Sequence, residues 1–148
     1  MVEVQKILVP VDFSECSRVA LRYAVHFGNR LGASTIDVLH VWQPPAYLDP
    51  GIKLHTPEGR EETLAEFVRS KAGQSMKSFL TEVEGGGSYE VHGRLESGEP
   101  REAILAVAGE GYDLIVMGTR GEASNVKLGS IAQKIVRNAT CPVLTIRG

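Results

Sequence analysis

The chain holds two cysteines in 148 residues, Cys16 and Cys141, far apart and without histidines at metal-ligand spacing. This excludes a CxxC redox motif and a zinc knuckle, and it predicts two free thiols. No apolar run approaches the roughly 20 residues that a membrane span requires. Residues 1–6 lack the layout of a signal peptide and lead straight into an apolar segment. An excess of one charge is also missing. Sixteen Lys plus Arg face eighteen Asp plus Glu, for a net charge of −2. That balance argues against a dedicated binder of nucleic acid or of anionic membranes. Neither internal repeats nor a Walker A or GxGxxG sequence occurs. His26, His40, His55 and His92 fall on separate predicted elements, and neither Ser14 nor Ser130 has a GxSxG context. No catalytic set assembles, so the expectation is a binding module and not an enzyme.

Hydrophobic residues make up 43% of the chain and charged residues 23%, too apolar for a disordered chain. A chain of this length buries roughly 68–70% of its unfolded surface, so it needs no disulfide or metal to hold a core.

The apolar pattern alternates between strand and helix. Residues 6–12, Lys-Ile-Leu-Val-Pro-Val-Asp, form a continuous β-branched run, the mark of a strand buried on both faces. Ser14 is a candidate N-cap for a helix with Ala20, Ala24, Phe27 and Leu31 at helical spacing, stopped by Gly32. Residues 35–41 read as the second strand. Residues 43–59, with four prolines and two glycines, read as a long loop of the kind that serves as a lid. A helix is predicted from about Arg60 to Glu84, with a hinge at residues 85–87. The half-polar segment 89–94 predicts an edge strand. A helix opens at Pro100 and ends near Gly109 and Gly111. A strand at 113–117, a loop at 118–127, a helix at 129–138 and a strand at 142–146 complete the pattern.

Five strands alternating with four helices give a single three-layer α/β domain over residues 1–148, with a parallel sheet. The two most apolar strands, 6–12 and 113–117, belong at the centre. Strand order 3-2-1-4-5 satisfies this, and ligands bind at the carboxyl ends beside such a switch point. There Asp12 can accept from a ribose hydroxyl or a base amine, or hold Mg²⁺ through water. Val41 can offer backbone groups to a base edge. Gly118 and Gly121 allow a tight turn, Gly129-Ser130 opens a helix that suits a phosphate, and Arg120 and Lys127 flank the loop. Residue patterns alone leave the simpler alternatives open: capping by Asp12, Ser14 or Ser130, and a plain core role for Val41.

Four segments carry a resemblance: 6–14 (KILVPVDFS), 113–121 (DLIVMGTRG), 128–136 (LGSIAQKIV) and 141–147 (CPVLTIR). Together they make the chain similar to the universal stress protein (UspA-like) family over essentially its whole length. The resemblance implies a Rossmann-like fold of the adenine nucleotide alpha hydrolase-like kind. It also implies a cytoplasmic role in stress resistance and a homodimer through the last strand, Val143, Leu144, Thr145 and Ile146. ATP-binding members carry Gly-x2-Gly-x9-Gly-Ser/Thr. Here Gly118, Gly121 and Gly129-Ser130 match, but seven residues separate Gly121 from Gly129, two fewer than the pattern. By analogy, the ATP contacts fall on Pro10, Val11, Asp12, Val41, Gly118, Arg120, Gly121, Gly129, Ser130 and Ile131. The shorter gap bears on the phosphate contacts more than on base and ribose, and Glu122 adds a carboxylate beside Gly121. The alternative is a stress protein of the same fold that binds no nucleotide and acts through protein interactions.

Overall fold

The computed structural model describes residues 3–83, 87, 89–120 and 128–147. Elements follow in the order β1 (Lys6–Pro10), α1 (Glu15–Leu31), β2 (Thr35–Trp42), β3 (Lys53–His55), β4 (Glu61–Thr63), α2 (Leu64–Thr81), β5 (Glu90–Ser97), α3 (Pro100–Ala108), β6 (Leu114–Gly118), α4 (Ser130–Asn138) and β7 (Val143–Ile146). Five strands form one parallel sheet in the order β5-β2-β1-β6-β7. This is the expected 3-2-1-4-5 order once the small hairpin strands are set aside.

Side chains alternate across the sheet with period two, so each central strand feeds two cores. Ile7, Val9, Ile36, Val38 and Val116 face α1 and α2, where Ala20, Leu21, Ala24, Met76 and Phe79 are buried. Leu8, Leu39, Ile115 and Met117 face α3 and α4, against Ile104, Val107, Ala132 and Ile135. Ser14 caps α1 by accepting from the Ser17 N–H, and Gly32 closes it at φ 73°, a conformation that favours glycine. Asp113 ties the start of β1 to the start of β6: its Oδ2 accepts from the N–H groups of Gln5 and Lys6, both at 2.9 Å.

Residues 43–63 depart from the expected loop followed by a helix from Arg60. β3 and β4 form an antiparallel hairpin, with Lys53 opposite Thr63 and the Lys53 ammonium 2.9 Å from Glu61. α2 starts at Leu64 because Thr63 and Glu66 make a reciprocal capping box. The hairpin is tied to that helix start by Leu64 N–H to Ile52 O and Ala65 N–H to Pro50 O. Short charged strands carry almost no period-two signal, so the hairpin is hidden in the pattern. Of the expected glycine hinge, Gly85 and Gly86 lie outside the described residues, as does Glu84. β5 is an edge strand as expected, though it runs on to Ser97. Both cysteines are free thiols.

Candidate functional site

β1 and β6 are neighbours, and their chains leave the sheet to opposite sides, β1 into α1 and β6 towards α4. A cleft of about 550 Å³ opens between their carboxyl ends. That is within the usual size range for a small-molecule site. It brings together Pro10 at the end of β1 with Val11 and Asp12 beyond it, Val41 of β2, Gly118 at the end of β6 with Arg120 beyond it, and Gly129, Ser130 and Ile131 at the start of α4. Nine of the ten sequence-derived contact residues therefore line one cavity. The tenth, Gly121, lies outside the described residues, as do Glu122 and Lys127.

The β1–α1 turn is tightly built. Phe13 adopts φ 65°, which a bulky side chain rarely does. Its ring packs on His40 at 4.4 Å and on Phe79 at 5.4 Å between centroids, and its carbonyl accepts from the Arg18 guanidinium at 2.9 Å. Such packing holds a strained residue in place. Just before it, the Asp12 Oδ1 accepts from the Ser14 N–H at 3.0 Å and from the Ser17 hydroxyl at 2.7 Å. The capping alternative thus resolves as a division of labour. Ser14 caps the helix, and Asp12 is exposed on the cleft wall.

β2 runs on for three residues past Leu39, the partner of the last β1 residue Pro10. The Val11 N–H donates to Leu39 O, whereas the Gly98 N–H on the other flank donates to Trp42 O. Peptide groups alternate between the two neighbours along a strand, so those of Val41 point to the β1 side. β1 has left by then, and among the described residues no backbone rung reaches Val41 from there. The Val11 carbonyl instead accepts from the His40 ring at 2.9 Å. A carbonyl has no proton to give, so Nδ1 carries it.

On the opposite wall, Gly129 is the N-cap of α4 and has no side chain with which to cap it. The Gly129 N–H is already committed to Thr119 O at 2.6 Å. The first intrahelical bond comes from the Gln133 N–H, so the N–H groups of Ser130, Ile131 and Ala132 lack helical acceptors. The positive end of the helix dipole adds to them. The cleft is therefore asymmetric, with a carboxylate on the β1 side and helix N–H groups with Arg120 on the α4 side. Pro100 and Ile104 of α3 supply apolar wall between them. These two, with Ser17, Thr119 and Gln133, were missed by sequence reasoning. Only Ser17 had a local signal, its three-residue spacing from the cap Ser14.

Among the described residues, no group of three or more His, Cys, Asp or Glu side chains could hold a metal ion. The histidines stand apart: His26 beside Phe27, His40 on Val11, His55 beside Glu61, and His92 between Asp37 and Glu90. No helix among the described residues is long and apolar enough to cross a membrane.

Comparison with known proteins agrees with this architecture. A universal stress protein of Thermus aquaticus is 38% identical over 145 residues, covering 95% of this chain and 97% of the relative. The structure of universal stress protein UspA from Lactobacillus plantarum superimposes with a TM-score of 0.74 at 28% identity, over 98% of this chain and 99% of the other. Two more distant structures share the fold: a universal stress protein in complex with cAMP (TM-score 0.71, 18% identity, 98% of both chains) and an Arabidopsis thaliana family protein with AMP bound (TM-score 0.61, 22% identity, 97% and 90%). The model of the universal stress protein family matches residues 3–147, and the chain belongs to that family.

Proposed function

We propose that the chain is an adenine-nucleotide-binding module of the cytoplasmic stress response, with ATP as its ligand and a homodimer as its working form. The observation that carries this reading is the sharing of one cleft by Val41's outward peptide groups, Asp12 and the side-chain-free start of α4. In this reading a base edge meets Val41, a ribose hydroxyl or base amine meets Asp12, and phosphate oxygens meet the N–H groups of Ser130 and Ile131. Arg120 adjoins the phosphates. The same fold holding cAMP in one protein and AMP in another supports an adenine ligand. Mg²⁺ would arrive with the phosphates and meet Asp12 through water. The chain binds and does not hydrolyse: its role is to present a different surface when loaded. Dimerisation runs through β7, an edge strand whose Val143 and Leu144 are half-exposed.

The test is a thermal-shift and calorimetric titration with ATP, AMP and cAMP, with and without Mg²⁺. A ligand at 100 times its Kd stabilises by about 2.7 kcal/mol, so a clear rise in Tm is expected. Gly129→Val should remove the response, because a Cβ there already lies 3.4 Å from Thr119 O and the added methyls crowd the start of α4. A flat Tm at millimolar nucleotide favours the second reading, a stress protein of the same fold that acts through protein partners. The gap of seven residues after Gly121 is the feature that speaks for it.

A further inference from the structure

Ser17 lines the cleft, yet its hydroxyl is fully engaged within the protein. It donates to Asp12 Oδ1 at 2.7 Å, accepts from the Asp12 N–H at 3.0 Å, and accepts from the Ser14 hydroxyl at 3.3 Å. One proton and two lone pairs are all that a hydroxyl has. Ser17 can offer a ligand nothing more, and at 6% exposure it has no room to turn away. Ser14, 4% exposed, spends its proton on the Ser17 hydroxyl, and its oxygen accepts from the Ser17 N–H at 3.2 Å. Asp12 itself is exposed at the cleft wall. An exposed carboxylate on its own rotates among rotamers, and a ligand that uses it must freeze it.

We infer that Ser17 is a positioning residue that locks the Asp12 carboxylate in the orientation a bound nucleotide meets. The inference rests on the proposed nucleotide site. Two donors, the Ser14 N–H and the Ser17 hydroxyl, hold one carboxylate oxygen, while Ser17 also grips the Asp12 backbone. Side chain and main chain of Asp12 are thus clamped by a single atom of the first turn of α1. The helix that closes the β1–α1 turn therefore also sets the geometry of the site.

The test is a double-mutant cycle read by ATP affinity on the full chain. Ser17→Ala is expected to weaken binding at least fivefold in the wild-type background and less than twofold in Asp12→Ala. Ser17→Thr, which keeps the hydroxyl, should restore affinity to within threefold of wild type. If Ser17→Ala does not fold, Ser17→Cys, of similar shape with a poor donor, takes its place in the cycle. Additive losses, or unchanged affinity in the single variant, overturn the positioning role while leaving the nucleotide site standing. A wild-type chain that binds no ATP overturns the site itself, and the role with it.

Discussion

Cys16 lies directly beneath Gly118: a methyl group on that glycine would stand 2.5 Å from the Cys16 sulfur and 3.3 Å from its Cβ. α1 thereby packs against the end of β6 at the point where the candidate loop begins, and Cys16 Sγ reaches Ile146 O at 3.6 Å. Gly118 is needed for close approach. Gly118→Ala is expected to destabilise by about 1–3 kcal/mol through overpacking. Cys16→Ala in the same chain should recover part of the loss. Urea denaturation of the four proteins measures this, and a Gly118→Ala penalty unaffected by Cys16→Ala would reject the contact as its cause.

The hydroxyl of the buried Tyr112 donates to Asp37 Oδ2 at 2.5 Å. Burial pushes the Tyr112 phenol up to about 12, with the hydrogen bond to Asp37 and the charge of Asp37 adding to it. Both folded and unfolded chains hold this proton below the ordinary tyrosine range, near 10. Between about 10 and 12 the unfolded chain gives it up and the folded chain does not. Stability is therefore unaffected at neutral pH and falls as pH rises through that window. Absorbance titration should show one of the four tyrosines ionising late. Asp37→Asn should bring it earlier, and an unmoved midpoint would remove Asp37 from the explanation.

Asp113 works in the other direction. Hydrogen bonds from the Lys6 and Gln5 N–H groups hold its carboxyl below the ordinary carboxylate range. A lowered folded value means stability present above the unfolded pKa and lost as pH falls through the folded one. Asp113→Ala should cost about 1–2 kcal/mol at pH 7, because two N–H groups at the start of β1 lose their acceptor to water. The difference between variant and wild type should shrink on acidification. A difference that stays constant with pH would show that the charge does not matter.

Leu144→Asp addresses the proposed dimer. A charge in the half-exposed strand β7 should desolvate badly against a second copy and leave monomers in sedimentation velocity. Unchanged sedimentation of a dimeric wild type would place the interface elsewhere.

The sheet was legible in the sequence because its strands differ in kind. The runs at 6–12 and 113–117 have no polar face and must be covered on both sides, whereas 89–94 has one. The segments at Gly118 and Gly129-Ser130 were legible because a backbone that turns from a strand into a helix start leaves its mark in glycine and serine. Ser17, Pro100 and Ile104 were not. Nothing in a serine one turn into a helix, or in a proline opening a helix some 80 residues later, says that both wall the same cavity. The hairpin at 53–63 was lost for a related reason: its strands are three residues long, and their cross-strand partners define them more than any pattern along the chain.

The chain's own order of apolar runs, caps and glycines determined the α/β class, the strand order and the ends of strands where a ligand could lie. These are local properties, set by side-chain periodicity and backbone freedom. The folded structure alone decided that Val41's peptide groups outlast their β1 partner, that the Gly129 N–H is spent on Thr119, and that one hydroxyl grips Asp12 at both main chain and side chain. Each of these depends on which donor faces which acceptor across the fold, and hydrogen-bond partners are assigned by distance in space, which spacing along a chain does not encode.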